Sequence, residues 1–399
     1  MDFLNKTISS IKPSQTLALT AKAKELSANG KDIVNFAGGE PDFNTPEWVC
    51  DSAKKAIDEG KTRYTAASGT ISLKEAVCKK LLRENNLSYK KSEVTIGNGA
   101  KQLIYNALNV TLNHGDEVII PSPYWVSYPD MVTIAGGVPV IVNCDIEDNF
   151  LLTPEKLEKS ITEKTKWIIL NSPSNPTGSI YTKEHLEKIS NVLKNYPNVH
   201  ILSDDIYEHI IYEGEFFNMP MVDELMKDRT LIINGVSKSY AMTGWRIGFA
   251  AGNESLIKAM NILQSQSTSN ACSIAQEAAE SALNGPQDFL NDWKNSYKDR
   301  RDTMMSLLNK IDGLHVSPPN GAFYLFIDIT GLIGKKTISG KTLNTDLDIA
   351  DYFIDQAGVV GVPGSAFGSE KYLRFSYATS KEEIIKGIKK VSDSVLLLK

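Results

Sequence analysis

Lys238 follows an apolar, β-branched run, Thr230–Asn234. It sits in the segment Gly235-Val236-Ser237-Lys238-Ser239-Tyr240-Ala241-Met242-Thr243-Gly244-Trp245-Arg246-Ile247-Gly248. An amine at the end of a buried strand is desolvated, and a desolvated amine is the form that makes Schiff bases. Arg246 stands eight residues further on. Arginine offers a rigid planar fork to a carboxylate or a phosphate, which lysine does not. The chain has only seven arginines among its 43 basic residues, so lysine carries its generic positive charge. An arginine inside an apolar, glycine-punctuated stretch therefore stands apart.

Other strand-like runs end in turns that could also carry chemistry. Val94–Gly97 leads into Gly97-Asn98-Gly99-Ala100-Lys101-Gln102 and a helical pattern. Glycine lets backbone amides approach a ligand and a helix N-terminus favours an anion, so a phosphate suits this turn. A plain strand–helix connection suits it as well, and Gln102 in the sixth position breaks the dinucleotide fingerprint. Glu117–Pro121 leads into Ser122–Trp125, where Trp125 is either a stacking platform for a flat ring or a packing residue. Lys166–Asn171 leads into Asn171–Gly178, a Pro/Asn turn that can aim an amide such as that of Asn175 at a ligand. His200–Asp204 ends in Ser203-Asp204-Asp205-Ile206-Tyr207-Glu208. A buried carboxylate there needs a cationic or hydrogen-bonding partner. Adjacent strand residues face opposite sides, so Asp204 and Asp205 form no dyad.

These turns need a scaffold. The 399 residues suffice for two or three domains, or for one large α/β unit with a satellite. Hydrophobic residues make up 42% and charged residues 23%, which excludes a disordered chain or a coiled-coil rod. A net charge of −5 argues against nucleic acid as a partner. Cys50, Cys78, Cys144 and Cys272 match no zinc or CxxC spacing, so no metal is expected and the thiols read as reduced ones of a cytoplasmic protein. The N-terminus shows no secretory signal, and no apolar run is long enough to span a membrane.

Between about residues 90 and 252, short β-rich runs alternate with helical stretches. Several runs are apolar on both faces, as buried parallel strands are. They predict an α/β fold with a mostly parallel central sheet and helices on both faces. In such a sheet ligands bind beyond the carboxyl ends of the strands, where the turns above lie. After about residue 290 the pattern changes to a smaller α+β domain. A long charged helix (about 288–311) is followed by strands at Ala322–Asp328, Gly358–Val362 and Tyr372–Tyr377, a helix near 345–357 and a final helix. The expected division is 46–287 for the large domain and 1–45 with 288–399 for the small one.

The stretch Gly235–Gly248 resembles the attachment site of the class I aminotransferases, pyridoxal-phosphate enzymes of fold type I. Further motifs occur in family order: Gly38-Gly39-Glu40-Pro41-Asp42-Phe43, Tyr64 within Arg63–Gly69, Pro121–Pro129, Asn171–Gly178, Ser203–Glu208 and Tyr372–Ser380. The resemblance runs from about Lys12 to Leu398. Within the family the chain is most similar to the bacterial aspartate aminotransferase branch that includes thermophilic and prephenate-accepting members.

The resemblance implies pyridoxal 5'-phosphate as cofactor and assigns roles. Lys238 would hold it covalently and serve as the base that moves the substrate proton. Asp204 would pair with the pyridine nitrogen, Tyr207 and Asn175 with the ring oxygen, and Trp125 would stack on the ring. Gly99 and Ala100 amides, the Ser237 hydroxyl and the Arg246 fork would bind the phosphate. Gly235 stands where some members have a phosphate-binding serine, which shifts weight to Ser237. Tyr64 would reach the phosphate of the partner subunit, implying a homodimer with shared active sites. Arg374 would clamp the substrate α-carboxylate, helped by Asn175 and the Gly39 backbone.

For the distal carboxylate, Gln264–Asn270 lacks the arginine that one branch uses. Lys101 matches the lysine that serves the branch resembled here. Lys12 and Thr16 match positions that help bind a second acidic group in prephenate-accepting relatives. The implied substrates are a small amino acid and a 2-oxo acid: aspartate first, with 2-oxoglutarate as acceptor and prephenate as a further one. Rival readings are a broad aromatic or kynurenine aminotransferase, or a β-lyase, of the same fold. A same-fold transcription regulator is disfavoured because the pattern starts near residue 12, and a nicotinamide dehydrogenase because its fingerprint fails.

Overall fold

Seven strands form the central sheet of the computed structural model, which describes residue 3, residues 5–11 and residues 13–399. They are β1 (Val94–Gly97), β2 (Glu117–Ser122), β3 (Val138–Asn143), β4 (Thr165–Asn171), β5 (His200–Asp204), β6 (Thr230–Gly235) and β7 (Gly248–Ala251). Their spatial order is β1-β7-β6-β5-β4-β2-β3. All neighbours are parallel except for the two antiparallel pairings made by β7. The sheet is thus mostly parallel, as the apolar runs predict, with one reversed strand.

The alternation along β2 shows why these strands are apolar throughout. Val118 and Ile120 pack with Leu103, Leu108 and Met260 on one face. Ile119, between them, packs with Leu186 and Ile189 on the other. Both faces are covered by helices, so neither can be polar. Helix Lys183–Leu193 covers its face with Leu186, Ile189, Ser190 and Leu193, the spacing of a single helical stripe. Thr182 starts it by accepting a hydrogen bond from the His185 amide at 3.2 Å.

A second, antiparallel sheet has β8 (Tyr324–Asp328), β9 (Val362–Pro363) and β10 (Tyr372–Ser376) in the order β9-β10-β8. Leu325, Ile327 and Phe375 pack there with Tyr297 and Met304 of helix Phe289–Leu308 and with Ile388 and Val391 of helix Lys381–Val395. Val34–Asn35 pairs in parallel with Val359–Val360, so the N-terminal segment lies beside C-terminal residues. The single strand expected at Gly358–Val362 is two short ones with different partners. Gly361 separates them, and a Cβ there would come within 2.7 Å of the Phe375 ring. The helix expected near 345–357 is α-helical only over Asp346–Tyr352. It widens to a π-turn at Phe353–Ala357 and stops at Gly358, whose φ is +65°. Among the described residues, no helix is long and apolar enough to cross a membrane.

The carboxyl ends of β1, β2, β4, β5 and β6 face one side of the central sheet. There β7 packs tightly on the turn after β1. A Cβ on Gly248 would lie 2.6 Å from the Gly99 carbonyl carbon and 2.9 Å from Ala100 Cα. Gly248→Ala should therefore destabilise the fold by about 1–3 kcal/mol, read as a lower urea midpoint. Gly244→Ala, where a Cβ meets nothing within 4 Å, should stay within about 0.5 kcal/mol of the parent. Equal midpoints for the two variants would contradict this packing.

Candidate active site

The strand ends surround a cavity of about 400 Å3. Its lining comes from each turn that the sequence singles out: Ala100 and Lys101 after β1, Trp125 after β2, Asn175 after β4, Asp204 and Tyr207 at β5, and Ser237, Lys238 and Arg246 between β6 and β7. The second sheet contributes Arg374 from β10, and the N-terminal segment contributes Gly39 and Thr16. Residues far apart in the chain thus meet at one point, and the Arg374–Ala37 hydrogen bond alone spans 337 positions.

Four cations share this space: Lys101, Lys238, Arg246 and Arg374. The Lys238 amine donates to the Gly39 carbonyl. Burial brings its pKa down from 10.5 to about 8. Glu40 and Asp204 favour the charged form there, while Arg374 and Arg246 oppose it. Arg374 is 1% exposed. Its Nη1 donates to Asn175 Oδ1 at 2.9 Å and its Nη2 to the Ala37 carbonyl at 2.8 Å. Its Nε has no partner, and the guanidinium carbon lies 4.4 Å from the Tyr324 ring centroid. Arg246 donates to the Thr243 carbonyl at 2.9 Å and the Asn98 carbonyl at 3.3 Å. Among the described residues, no carboxylate forms a salt bridge with Arg246 or Arg374, whereas Arg83 and Arg300 have one each and Arg301 has two. The Arg246 fork needs Gly99, whose φ is +87° and whose Cβ would stand 2.9 Å from the guanidinium carbon.

Asp204 is buried at the end of β5 and accepts from the Tyr128 hydroxyl at 2.6 Å through Oδ2. Its other oxygen, Oδ1, is buried without a partner. Burial raises its pKa to about 6, against the Tyr128 hydroxyl, the Ile206 amide and Lys238. Asp205 points elsewhere, accepting from Ser203 Oγ at 2.6 Å and Asn218 Nδ2 at 2.8 Å. The two aspartates have separate partners, as strand alternation requires. The Tyr207 hydroxyl meets the Tyr324 hydroxyl at 2.7 Å. The Lys101 ammonium lies 4.7 Å from the Trp125 ring centroid, and burial followed by Arg246 lowers its pKa.

Of the expected residues that the structure describes, Gly99 supports Arg246 without lining the cavity itself, and Tyr64 stands apart from it. Tyr64 is 92% exposed and does not line the cavity. Lys12 lies outside the described residues. The lining residues not expected from the sequence include Tyr128, Tyr324, Glu40 and Thr243. Glu40 Oε2 accepts from Thr243 Oγ1 at 2.9 Å. Tyr128 and Glu40 lie inside motifs already singled out, so their motif membership was the available signal. Tyr324 opens an apolar strand and carries no local signal.

The arrangement offers a neutralisable amine, an unpartnered carboxylate oxygen and two arginines without counter-ions. Such a cavity can hold a ligand carrying at least two anionic groups and react with it through an amine. Comparison with known proteins agrees. The family profile "Aminotransferase class I and II" matches residues 31–391. The aspartate/prephenate aminotransferase of Cereibacter sphaeroides is 52% identical over 383 residues, 96% of each chain. The aspartate aminotransferase of Rhizobium meliloti is 49% identical over 386 residues, 96% of this chain and 94% of the other. A crystal structure of the aspartate aminotransferase from Rhizobium meliloti superposes with a TM-score of 0.96 at 47% identity, covering 99% of each chain. The aspartate aminotransferase from Thermus thermophilus, solved with maleate, superposes with 0.93 at 40% identity, covering 99% of this chain and 100% of the other.

Acylation of Lys238 in the ligand-free chain by a small neutral anhydride, read by peptide mass, should rise with a midpoint near pH 8. Exposed lysines should titrate near ~10.4. A coincident midpoint would contradict the desolvation of Lys238.

Proposed function

The chain belongs to the class I and II aminotransferases, and on that premise we propose that it moves the amino group of aspartate to 2-oxoglutarate, with pyridoxal 5'-phosphate as cofactor. Oxaloacetate and glutamate are the products, and prephenate is a further acceptor. The observation that carries this reading is the pair Arg246 and Arg374, both without carboxylate partners among the described residues, in the cavity that holds the Lys238 amine. One anion-binding fork suits the cofactor phosphate and the other the substrate α-carboxylate.

The residues present fit the cofactor. Asp204 Oδ1 is buried and unpartnered, which a protonated ring nitrogen would satisfy. When bound, pyridoxal phosphate supplies an electron sink for the charge that develops at the substrate Cα. Asp204, ionised by that partner, keeps the ring nitrogen protonated. Tyr207 donates its hydroxyl hydrogen to the ring oxygen. Asn175 uses Oδ1 for Arg374 and keeps its amide hydrogens for the ring oxygen. Trp125 covers one ring face. Arg246, Ser237 and the amides of Gly99 and Ala100 hold the phosphate. Lys238 anchors the cofactor, and its lowered pKa leaves a large neutral fraction near pH 8 to take the proton from the substrate Cα and return it. Arg374 pairs with the α-carboxylate through parallel hydrogen bonds, beside Asn175 and the Gly39 backbone.

Lys101 lines the same cavity and suits the distal carboxylate of aspartate, with Thr16 nearby in the lining. The Thermus thermophilus aspartate aminotransferase was solved with maleate, a four-carbon dicarboxylate, which supports a substrate of that class here. The strong exposure of Tyr64 supports a homodimer in which it completes the partner's phosphate site. Four free cysteines support a reducing, cytoplasmic setting. We assign 46–287 to the cofactor-binding domain, which contains the whole central sheet, and 1–45 with 288–399 to the small domain.

A panel of amino donors with 2-oxoglutarate tests the substrate assignment. Aspartate and glutamate should change the visible absorbance of the bound cofactor. A response to aromatic donors alone would overturn the assignment. Lys101→Ala should lower kcat/KM for aspartate by the equivalent of roughly 2–5 kcal/mol and leave alanine unaffected. Equal losses would remove Lys101 from the distal site. Subunit mixing tests the shared site. Tyr64→Ala and Lys238→Ala chains, each impaired alone, should regain activity together because the mixed dimer rebuilds one intact site. No recovery in verified mixed dimers would place Tyr64 outside catalysis.

A further inference from the structure

Glu208 is a buried carboxylate that the chemistry above does not use. It stands one residue after Tyr207 and does not line the cavity. Its oxygens accept from the Lys80 ammonium, from Asn234 Nδ2 at 2.7 Å and from Asn85 Nδ2 at 3.1 Å. Lys80 reaches in from helix Ile71–Asn85 and is itself 1% exposed. It also donates to Asn85 Oδ1 at 2.8 Å and pairs with Glu84 at 3.4 Å. His209 bridges Glu84 at 2.9 Å and Ser239 Oγ at 2.7 Å. Burial pushes the Glu208 carboxyl up, but Lys80 and His209 outweigh it and hold it below the usual carboxylate range. Glu84, Glu208 and His209 are close enough to share an ion. The Lys80 ammonium already sits on both carboxylates, so the cluster supplies its own cation.

This network touches the Lys238 segment on both sides. Asn234 lies four residues before Lys238, and its Oδ1 also accepts from the Gly235 amide at 2.7 Å. Ser239 lies directly after it. We propose that Glu208 is a positioning residue for Lys238. It holds the segment before Lys238 through Asn234, and the segment after it through Lys80, Glu84, His209 and Ser239. Asp204 ends β5, whereas Lys238 lies three residues beyond the end of the neighbouring β6, where sheet hydrogen bonds no longer set its place. Glu208 springs from the same turn as Asp204. Its charge-assisted bonds extend the fixing past the ladder, the task of a supporting shell around a reactive group. An error of about 1 Å in such a group costs on the order of 100-fold in rate.

The inference rests on the proposed aminotransferase reaction, and its test uses the holoenzyme. Glu208→Gln removes the charge and keeps an oxygen for Asn234. Ser239→Ala removes one hydroxyl and leaves every ion pair in place. Two readouts are taken: kcat and KM with aspartate and 2-oxoglutarate, and the pH midpoint of the bound cofactor's visible absorbance without substrate. Glu40, Arg374, Arg246 and Asp204 are the charged groups that act most strongly on the Lys238 amine, and neither variant alters them. Ser239→Ala also changes no charge, so a midpoint displaced in that variant reports a moved Lys238 nitrogen. Glu208→Gln should lower kcat by about 10- to 100-fold. Ser239→Ala should lower it less, with KM values within about threefold of the parent in both. The midpoint should shift in both variants. A lower Tm with parental kcat and midpoint would show a merely structural network and overturn the proposal. If Glu208→Gln fails to fold, Ser239→Ala decides, and parental values in it overturn the proposal. A parent enzyme without a visible cofactor band would instead refute the functional reading, before any variant is compared.

Discussion

Three of the four cationic side chains that line the cavity are held by neutral oxygen acceptors. Lys238 rests on the Gly39 carbonyl, Arg374 on Asn175 and the Ala37 carbonyl, and Arg246 on the carbonyls of Thr243 and Asn98. Carbonyl oxygens orient a cation without cancelling its charge, so the positive potential stays available to a ligand. The cost is mutual repulsion, visible in the lowered pKa of Lys238, to which both arginines contribute after burial. Only a rigid frame can impose such a placement. The carbonyls come from strand ends, from the turns after them and from the N-terminal segment beside the second sheet. The order of the strands therefore acts chiefly by deciding which carbonyls converge.

The same logic explains the buried acid. Asp204 carries one satisfied oxygen and one unsatisfied. A protein that needed only stability would complete the second bond or replace the residue, since an orphaned buried acceptor costs about 1–3 kcal/mol. Keeping the acceptor open makes sense when a ligand supplies the donor. Glu208, four residues on, is the opposite case. Its oxygens are fully engaged, and it binds parts of the protein to one another. Two acids in one turn thus divide the work of recognition and fixation.

Much of this was legible in the chain. The runs at Val94, His200 and Thr230 read as buried strands because both of their faces lie under helices, which leaves no polar position to blur the pattern. The turn residues stood out because glycine, proline and arginine are conspicuous against apolar neighbours. What stayed hidden depends on distance in sequence. Tyr324 looks like any strand tyrosine until Tyr207, 117 positions away, meets its hydroxyl. Lys80 lies on a helix rich in lysine and reads as a surface charge, because Glu208 comes from a different part of the chain. The reversal of β7 was equally invisible, since direction leaves no mark on a run of four apolar residues.

That reversal has a consequence of its own. Gly235 and Gly248 are register partners, so the segment between them begins and ends at a single rung of the sheet. Lys238 and Arg246 therefore ride on a closed loop whose two feet are pinned together. The rung fixes where the loop starts and ends, while contacts from outside it, Gly99 at Arg246 and His209 at Ser239, bear on where its side chains stand. Over evolutionary time such a loop can drift only as a unit. A gained or lost residue would alter the reach of the amine and the fork while leaving the sheet untouched. For a designer it is a cassette whose transplantation needs two adjacent antiparallel strand ends together with the outside contacts that Gly99 and Glu208 supply here.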